Sequence, residues 1–281
     1  MRKSLRTGLR ALKITLENLV CRTRPGYRAY LRLKHGAGTP KGRPIAPWQN
    51  TTLKSRSDAE QAVAQVRKLG LVDHADLPKN WDALAALAVV LDHTDPSSAV
   101  LDAGAEFYSP VLPTLFLYGY NHLVGINLAF HKPIRRGPIR YEPGDITKTR
   151  FEPDTFDAIT CLSVIEHGVG LASYFREMAR ILKPGGLLIT STDYWPQTVD
   201  TNSMAAYGSP VKIFTAQEIQ SALDLAQQSG FEMTGRVDLL AKEKAVLWAR
   251  VGLEFTYVIF CLRKGPCDTG KHSEFETPVP M

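Results

Sequence analysis

No uninterrupted apolar stretch in this 281-residue chain reaches the roughly 18 residues that a membrane-spanning helix needs. The start, Met1-Arg2-Lys3-Ser4-Leu5-Arg6, is basic, but Arg10, Lys13 and Glu17 interrupt the apolar core that a secretory leader would require. Cysteine is scarce and scattered. Cys21, Cys161, Cys261 and Cys267 contain no Cys-x-x-Cys pair, which argues against a structural zinc site, and no metal is expected. Two of the four, Cys161 and Cys261, fall inside apolar runs, where a thiol packs as a small hydrophobe. Also missing is Gly-x-Gly-x-x-Gly after the first core strand with an acid closing the second, the pattern that holds a nicotinamide dinucleotide. There is no internal repeat, and nothing speaks to oligomeric state. An apolar fraction of 44% against 22% charged residues is that of a folded globular chain rather than a disordered one.

The positive charge is concentrated at one end. Residues 1–34 carry ten Arg or Lys against Glu17 alone, a local +9, so the rest of a chain with net charge +6 is close to −3. A catalytic body built to grip nucleic acid is therefore not expected. Within this basic segment Leu5, Leu9, Leu12, Leu16 and Leu19 recur at steps of three and four, the period of a helix with its cations on the other face. Two readings stay open: a helix lying on an anionic membrane, or one that packs on the body of the protein. The expected location is cytoplasmic, with peripheral membrane contact through this N-terminus left open.

Residues 35–56, with Pro40, Pro44 and Pro47, read as a linker or wrapping arm. Ser57-Asp58-Ala59-Glu60 has the form of a capping box, and the helix it opens closes at Gly70. A second helix over about Asn80–Leu91 buries Trp81, Leu84, Ala85, Ala88 and Leu91. Residues 57–264 form the main domain, and 265–281, with Pro278 and Pro280, an expected disordered tail.

Inside that domain, apolar runs end in polar residues at regular intervals. Ala99-Val100-Leu101 ends in Asp102-Ala103-Gly104, Leu123-Val124-Gly125-Ile126 ends in Asn127, and Gly144-Asp145-Ile146 follows. Phe156-Asp157-Ala158-Ile159-Thr160-Cys161 comes next, and Leu182-Lys183-Pro184-Gly185-Gly186 leads into Leu187-Leu188-Ile189-Thr190. Helices are expected at Val111–Tyr118, Leu171–Leu182 and Thr215–Ser229, the last opening with a second capping box, Thr215-x-x-Glu218; final strands are expected at Phe231–Leu239 and Glu254–Arg263. Such alternation requires right-handed crossovers and a mostly parallel sheet. Open sheets of this kind bind ligands outside the carboxyl ends of their strands, where these polar residues fall.

From Ala99 to about Lys264 the ordered set resembles the class I S-adenosylmethionine-dependent methyltransferases, of the group acting on small molecules and lipids. Its most specific piece is Phe156-Asp157-Ala158-Ile159 through Ser163-Val164-Ile165-Glu166-His167, with Leu182-Lys183-Pro184-Gly185-Gly186 some fifteen residues later. The resemblance implies a Rossmann-like, doubly wound, mostly parallel seven-stranded sheet with an antiparallel edge strand, covered by N-terminal helices. It implies S-adenosylmethionine as cofactor and direct in-line methyl transfer to a small-molecule, glycan or lipid acceptor. Asp102 and Gly104, with Ala105 beside them, would shape the loop beneath the amino-acid portion of the cofactor, and Glu106 would either accept from its ammonium or narrow the pocket. Asn127 and Leu128 would meet the ribose, Asp145 and Ile146 the adenine, and Ser163 the cofactor through its backbone. His167 and Asp193 are the candidate bases for an acceptor proton, with His167 alternatively ordering its loop and Asp193 capping backbone donors. Further aromatics, Tyr194, Trp195, Tyr207, Phe214 and Trp81, would line the acceptor side. One departure stands out: Glu106 and Tyr108 occupy positions where the family has glycines. The alternative that this leaves open is a non-catalytic, methyltransferase-like binding or scaffold protein.

Overall fold

In the computed structural model, residues 17–201, 204–206, 208–249 and 252–266 are described. Leu5, Leu9, Leu12 and Leu16 of the N-terminal repeat, Tyr207 of the expected acceptor side, and residues 267–281 of the tail lie outside them. The elements run α1 (Arg24–His35), β1 (Thr51–Thr52), α2 (Arg56–Leu69), α3 (Lys79–His93), β2 (Ala99–Ala103), α4 (Val111–Leu117), β3 (His122–Asn127), β4 (Ile134–Arg136), β5 (Ile139–Pro143) and β6 (Phe156–Leu162). They continue with α5 (Leu171–Ile181), β7 (Leu182–Tyr194), the short ribbon β8 (Ala205–Ala206) and β9 (Ser209–Pro210), α6 (Ala216–Gln228), β10 (Phe231–Met233), β11 (Val246–Trp248) and β12 (Leu253–Lys264).

The main sheet has the order β1-β12-β7-β6-β2-β3-β5-β4, with β10 and β11 also pairing β12. The five central strands β7, β6, β2, β3 and β5 are parallel, and β12 runs antiparallel to β7. The short strands β1, β4 and β11 are additions to the seven expected. From β2 the chain proceeds to β3 and β5 on one side and to β6 and β7 on the other, so winding reverses between β2 and β6. That reversal leaves a crevice at their carboxyl ends, because the two outgoing loops diverge.

Alternation along the buried strands sorts side chains onto two faces. Val100, Ala158, Ile189 and Ile259 face a layer with Trp81, Leu84 and Leu87 of α3, whereas Leu101, Ile159, Leu188 and Phe260 face Phe175 and Met178 of α5 and Ile219 of α6. The helices form where capping and periodicity agree. In α2, Ala59, Ala62, Val63, Val66 and Leu69 are buried at helical spacing, and Gly70, at φ 67°, closes the helix. Its cap is Ser55, not Ser57: Ser55 is extended at φ −157° and accepts from the Asp58 N–H at 3.2 Å, so Ser57 already lies inside the first turn. The Thr215/Glu218 capping box forms with both reciprocal bonds.

One strand boundary departs from the sequence reading for a traceable reason. The strand at Phe231 stops at Met233; Thr234 still donates to the Cys261 carbonyl of β12, and beyond it the chain turns away, with the Asp238 N–H donating to the Asn50 carbonyl. Phe156 pairs with Leu182 but Ala158 with Leu187, so residues 183–186 loop out of the ladder, with Gly185 at φ 77°. The proline-rich segment packs against α3: Arg43 donates to the Leu91 carbonyl at 2.8 Å, Trp48 Nε1 to the Trp81 carbonyl at 3.1 Å, and Ala37, Ala46 and Leu53 are buried. On α1, Tyr27 and Leu31 are buried against the body while Arg28 and Arg32 face outward. No helix among the described residues is long and apolar enough to cross a membrane.

Candidate active site

The loop after β2 opens the crevice. Asp102, 4% exposed, accepts from the Thr160 hydroxyl of β6 at 2.8 Å, and burial pushes its carboxyl up to about 6. Gly104 sits at φ 89°, and a Cβ there would fall 2.3 Å from Val164 Cγ2, so both backbone and space demand glycine. Its N–H donates to the Ile126 carbonyl at 2.9 Å, lashing the loop to β3. Ala105 is buried beneath, and Glu106 is half-buried at the rim. Tyr108 is 55% exposed and meets His74 edge-on with ring centroids 5.5 Å apart, so it does not cross toward β3.

At the tip of β3, Asn127 Nδ2 donates to the carbonyls of Gly104 (3.3 Å) and Ala105 (3.0 Å) and lies 3.4 Å from Glu106 Oε1. Its oxygen accepts from the Ala129 N–H at 2.8 Å. Leu128 is exposed. Beyond β5, Asp145 is exposed and accepts through Oδ1 from both the N–H (2.8 Å) and the hydroxyl (2.7 Å) of Thr147, closing an Asx turn, while Ile146 is buried. Asp102, Glu106, Asn127 and Asp145 thus stand at the carboxyl ends of three adjacent parallel strands.

After β6 the chain adopts an uncommon conformation. Ser163 lies at φ 53°, a left-handed backbone that costs a non-glycine residue on the order of 1 kcal/mol. Its N–H donates to the Ser191 carbonyl at 2.9 Å, and its hydroxyl accepts from Lys79 Nζ. Lys79 begins α3 and reaches over the sheet edge. Its ammonium is 4.0 Å from Asp193 Oδ1 and 4.1 Å from the centre of the Tyr257 ring.

Three buried carboxylates surround that ammonium. Asp82 accepts from the Ser191 hydroxyl at 2.6 Å and the Ala83 N–H at 2.9 Å, Glu166 accepts from the Thr192 hydroxyl at 2.9 Å, and Asp193 sits near the end of β7. All three are under 10% exposed. Desolvation raises each of them, Lys79 opposes the rise, and Glu166 and Asp193 hydrogen-bond to each other. Three carboxylates and one ammonium in a low-dielectric site cannot all stay charged, so the Glu166–Asp193 pair holds a proton near neutrality. His167 is half-buried, and desolvation together with Lys79 lowers it, which keeps the imidazole neutral at pH 7.

Lys79 and Asp82 were not singled out from the sequence. A signal was present: Asp82 is the one charge in the otherwise apolar run Trp81–Leu91, all of it buried, and a buried acid needs partners. Among the described residues, no group of three or more His, Cys, Asp or Glu has the arrangement of a metal site.

A methyltransferase-domain family model matches residues 116–190, from α4 into β7. Curated relatives include a sterol 24-C-methyltransferase of Candida albicans, 28% identical over 119 residues, covering 39% of this chain and 31% of that protein. A sterol 24-C-methyltransferase of Gibberella zeae is 23% identical over 164 residues, covering 53% and 43% respectively. The chain therefore spans less than half the length of these two relatives. Among solved structures, the [4+2]-cyclase SpnF aligns with a TM-score of 0.51 at 16% identity over 82% of this chain and 100% of that one, a likeness of fold. The methyltransferase-domain match thus falls on the middle of the chain, and the reversal of winding between β2 and β6 with the antiparallel β12 makes the fold a Rossmann-like, doubly wound, mostly parallel sheet.

Proposed function

We propose that this protein transfers a methyl group from S-adenosylmethionine to a small-molecule or lipid acceptor, by direct in-line attack. The observation that carries the reading is the gathering of Asp102, Glu106, Asn127, Asp145 and Ser163 along one rim, with Lys79, Glu166, His167 and Asp193 against it. The cofactor's ammonium, two ribose hydroxyls and adenine amine are all donors, and they call for acceptors. Carboxylates at the ends of β2 and β5 and on the loop after β2, with the Gly104 backbone able to come close, are such a set. When bound, the cofactor supplies an already activated methyl group.

What remains for the protein is to position the acceptor, exclude water and hold its proton. Neutral His167 is able to take a proton from an acceptor hydroxyl, and Asp193, with its carboxyl raised by burial, is the second candidate. Lys79, anchored on Ser163, acts on both: it opposes the rise of the carboxylates and adds to the burial that keeps the imidazole neutral. The sterol-methylating relatives support an acceptor of small-molecule or lipid class.

Calorimetric titration of the whole chain with S-adenosylhomocysteine tests the cofactor assignment. A saturable heat and a rise in melting temperature are expected. A folded protein giving neither would leave a methyltransferase-like scaffold as the better account.

A further inference from the structure

Asn127 occupies the place where, in open α/β sheets, a strand-tip acid about twenty residues after the glycine-bearing turn accepts from a ribose hydroxyl. Its amide oxygen is turned back into its own loop by the Ala129 N–H at 2.8 Å, and its NH2 group is engaged by the carbonyls of Gly104 and Ala105. A neutral amide so held presents little to a vicinal diol, whose two O–H groups both donate. The same Nδ2, however, lies 3.4 Å from Glu106 Oε1, so a carboxylate from the loop after β2 stands beside the tip of β3.

From this juxtaposition, and resting on the cofactor reading above, we infer that Glu106 is the carboxylate that accepts from the ribose diol, supplied by the first loop in place of the strand tip. Two features favour a ligand-directed role. The carboxylate is steadied by the Phe107 N–H as well as by Asn127, which orients it, and burial raises it. Burying part of a carboxylate is costly, and two O–H donors would offset that cost. Glu106 also explains why the second glycine position of the loop tolerates a large side chain. The loop turns at Gly104, and the Glu106 N–H is already satisfied by the Ser109 hydroxyl at 3.0 Å, so the side chain is free of any backbone demand at that position.

The test is a titration calorimetry grid: wild-type protein and Glu106→Gln against S-adenosylhomocysteine, 5′-methylthioadenosine and 2′,3′-dideoxy-5′-methylthioadenosine. Glu106→Gln should weaken the first two ligands alike, by about ten- to a hundredfold, the range for a hydrogen bond to a charged group. The dideoxy ligand should bind wild type as weakly as it binds the variant, because deleting either partner removes the same contact. Wild-type affinity retained by Glu106→Gln overturns the inference. So does a loss confined to S-adenosylhomocysteine, which would place the carboxylate at the amino-acid end. Should the variant fail to fold, equal wild-type affinity for the dideoxy and parent thioadenosines overturns it on the ligand side alone. Wild type that binds none of the three overturns the cofactor reading itself, a result distinct from binding that ignores Glu106.

Discussion

On the β3–β5 side of the crevice, polar side chains find partners in their own turn or the loop beside it: Asp145 is closed by Thr147 two residues on, and Asn127 by Ala129 and the Gly104–Ala105 carbonyls. On the β6–β7 side the partners come from far along the chain. Lys79 meets Ser163 across 84 residues and Ser191 meets Asp82 across 109, while Thr192 and Glu166 are 26 apart. The first side is solvated and locally satisfied; the second is buried, with its charges balanced against one another. Turn chemistry suffices to shape a rim that will meet a polar ligand, whereas a proton-holding pocket needs desolvation, and that requires elements to close over it.

The largest test of that contrast is Lys79→Met. It removes the ammonium facing Asp82, Glu166 and Asp193, and should cost about 2–4 kcal/mol of unfolding free energy at pH 8, read by denaturant titration. Because Lys79 holds these carboxyls below where burial alone would put them, the deficit should shrink as pH falls and they protonate. A deficit independent of pH would mean that packing rather than charge is lost, and the distinction between the two sides would fail.

Asp102 lies where the two sides meet, bonded to Thr160 and raised in part by Asp82. Its carboxyl is higher in the folded than in the unfolded chain, so its contribution is present in full below about pH 4 and is lost as pH rises through about 6. Asp102→Asn should therefore gain on wild type by about 2–3 kcal/mol between pH 4 and pH 7, measured as the difference of their unfolding free energies. The Thr160 hydroxyl still finds an acceptor in the amide. A parallel pair of stability curves would remove Asp102 from the buried set.

Smallest is Asp145→Asn on the solvated side. The amide oxygen can still close the Asx turn, so stability should change by less than about 0.5 kcal/mol and show no new pH dependence. A loss comparable with that of Lys79→Met would show that this rim, too, depends on charge.

Strand ends were legible in the chain because a buried parallel strand reads as an apolar run and its stop as the first polar residue; Asp102, Asn127 and Ser163 follow from that, whereas Asp145, after the mixed run Ile139-Arg140-Tyr141-Glu142-Pro143, came from the family resemblance. The Thr215–Glu218 cap was legible for the same local reason. Ser55 was missed as a cap because Ser57 offers the same chemistry two residues later, and only backbone dihedrals separate them. Lys79 and Asp82 were missed because nothing within a few residues of either names its partner.

The order of elements, the placement of the polar strand ends and the need for glycine at position 104 were determined by the chain itself, since periodicity, propensity and φ are local quantities. The fold alone decided that α3 packs on one face of the sheet with Lys79 at the strand ends, that Glu106 stands beside Asn127, and that three carboxylates share one ammonium. Those facts depend on which surfaces bury each other, and burial sets the strength of every charge inside the crevice.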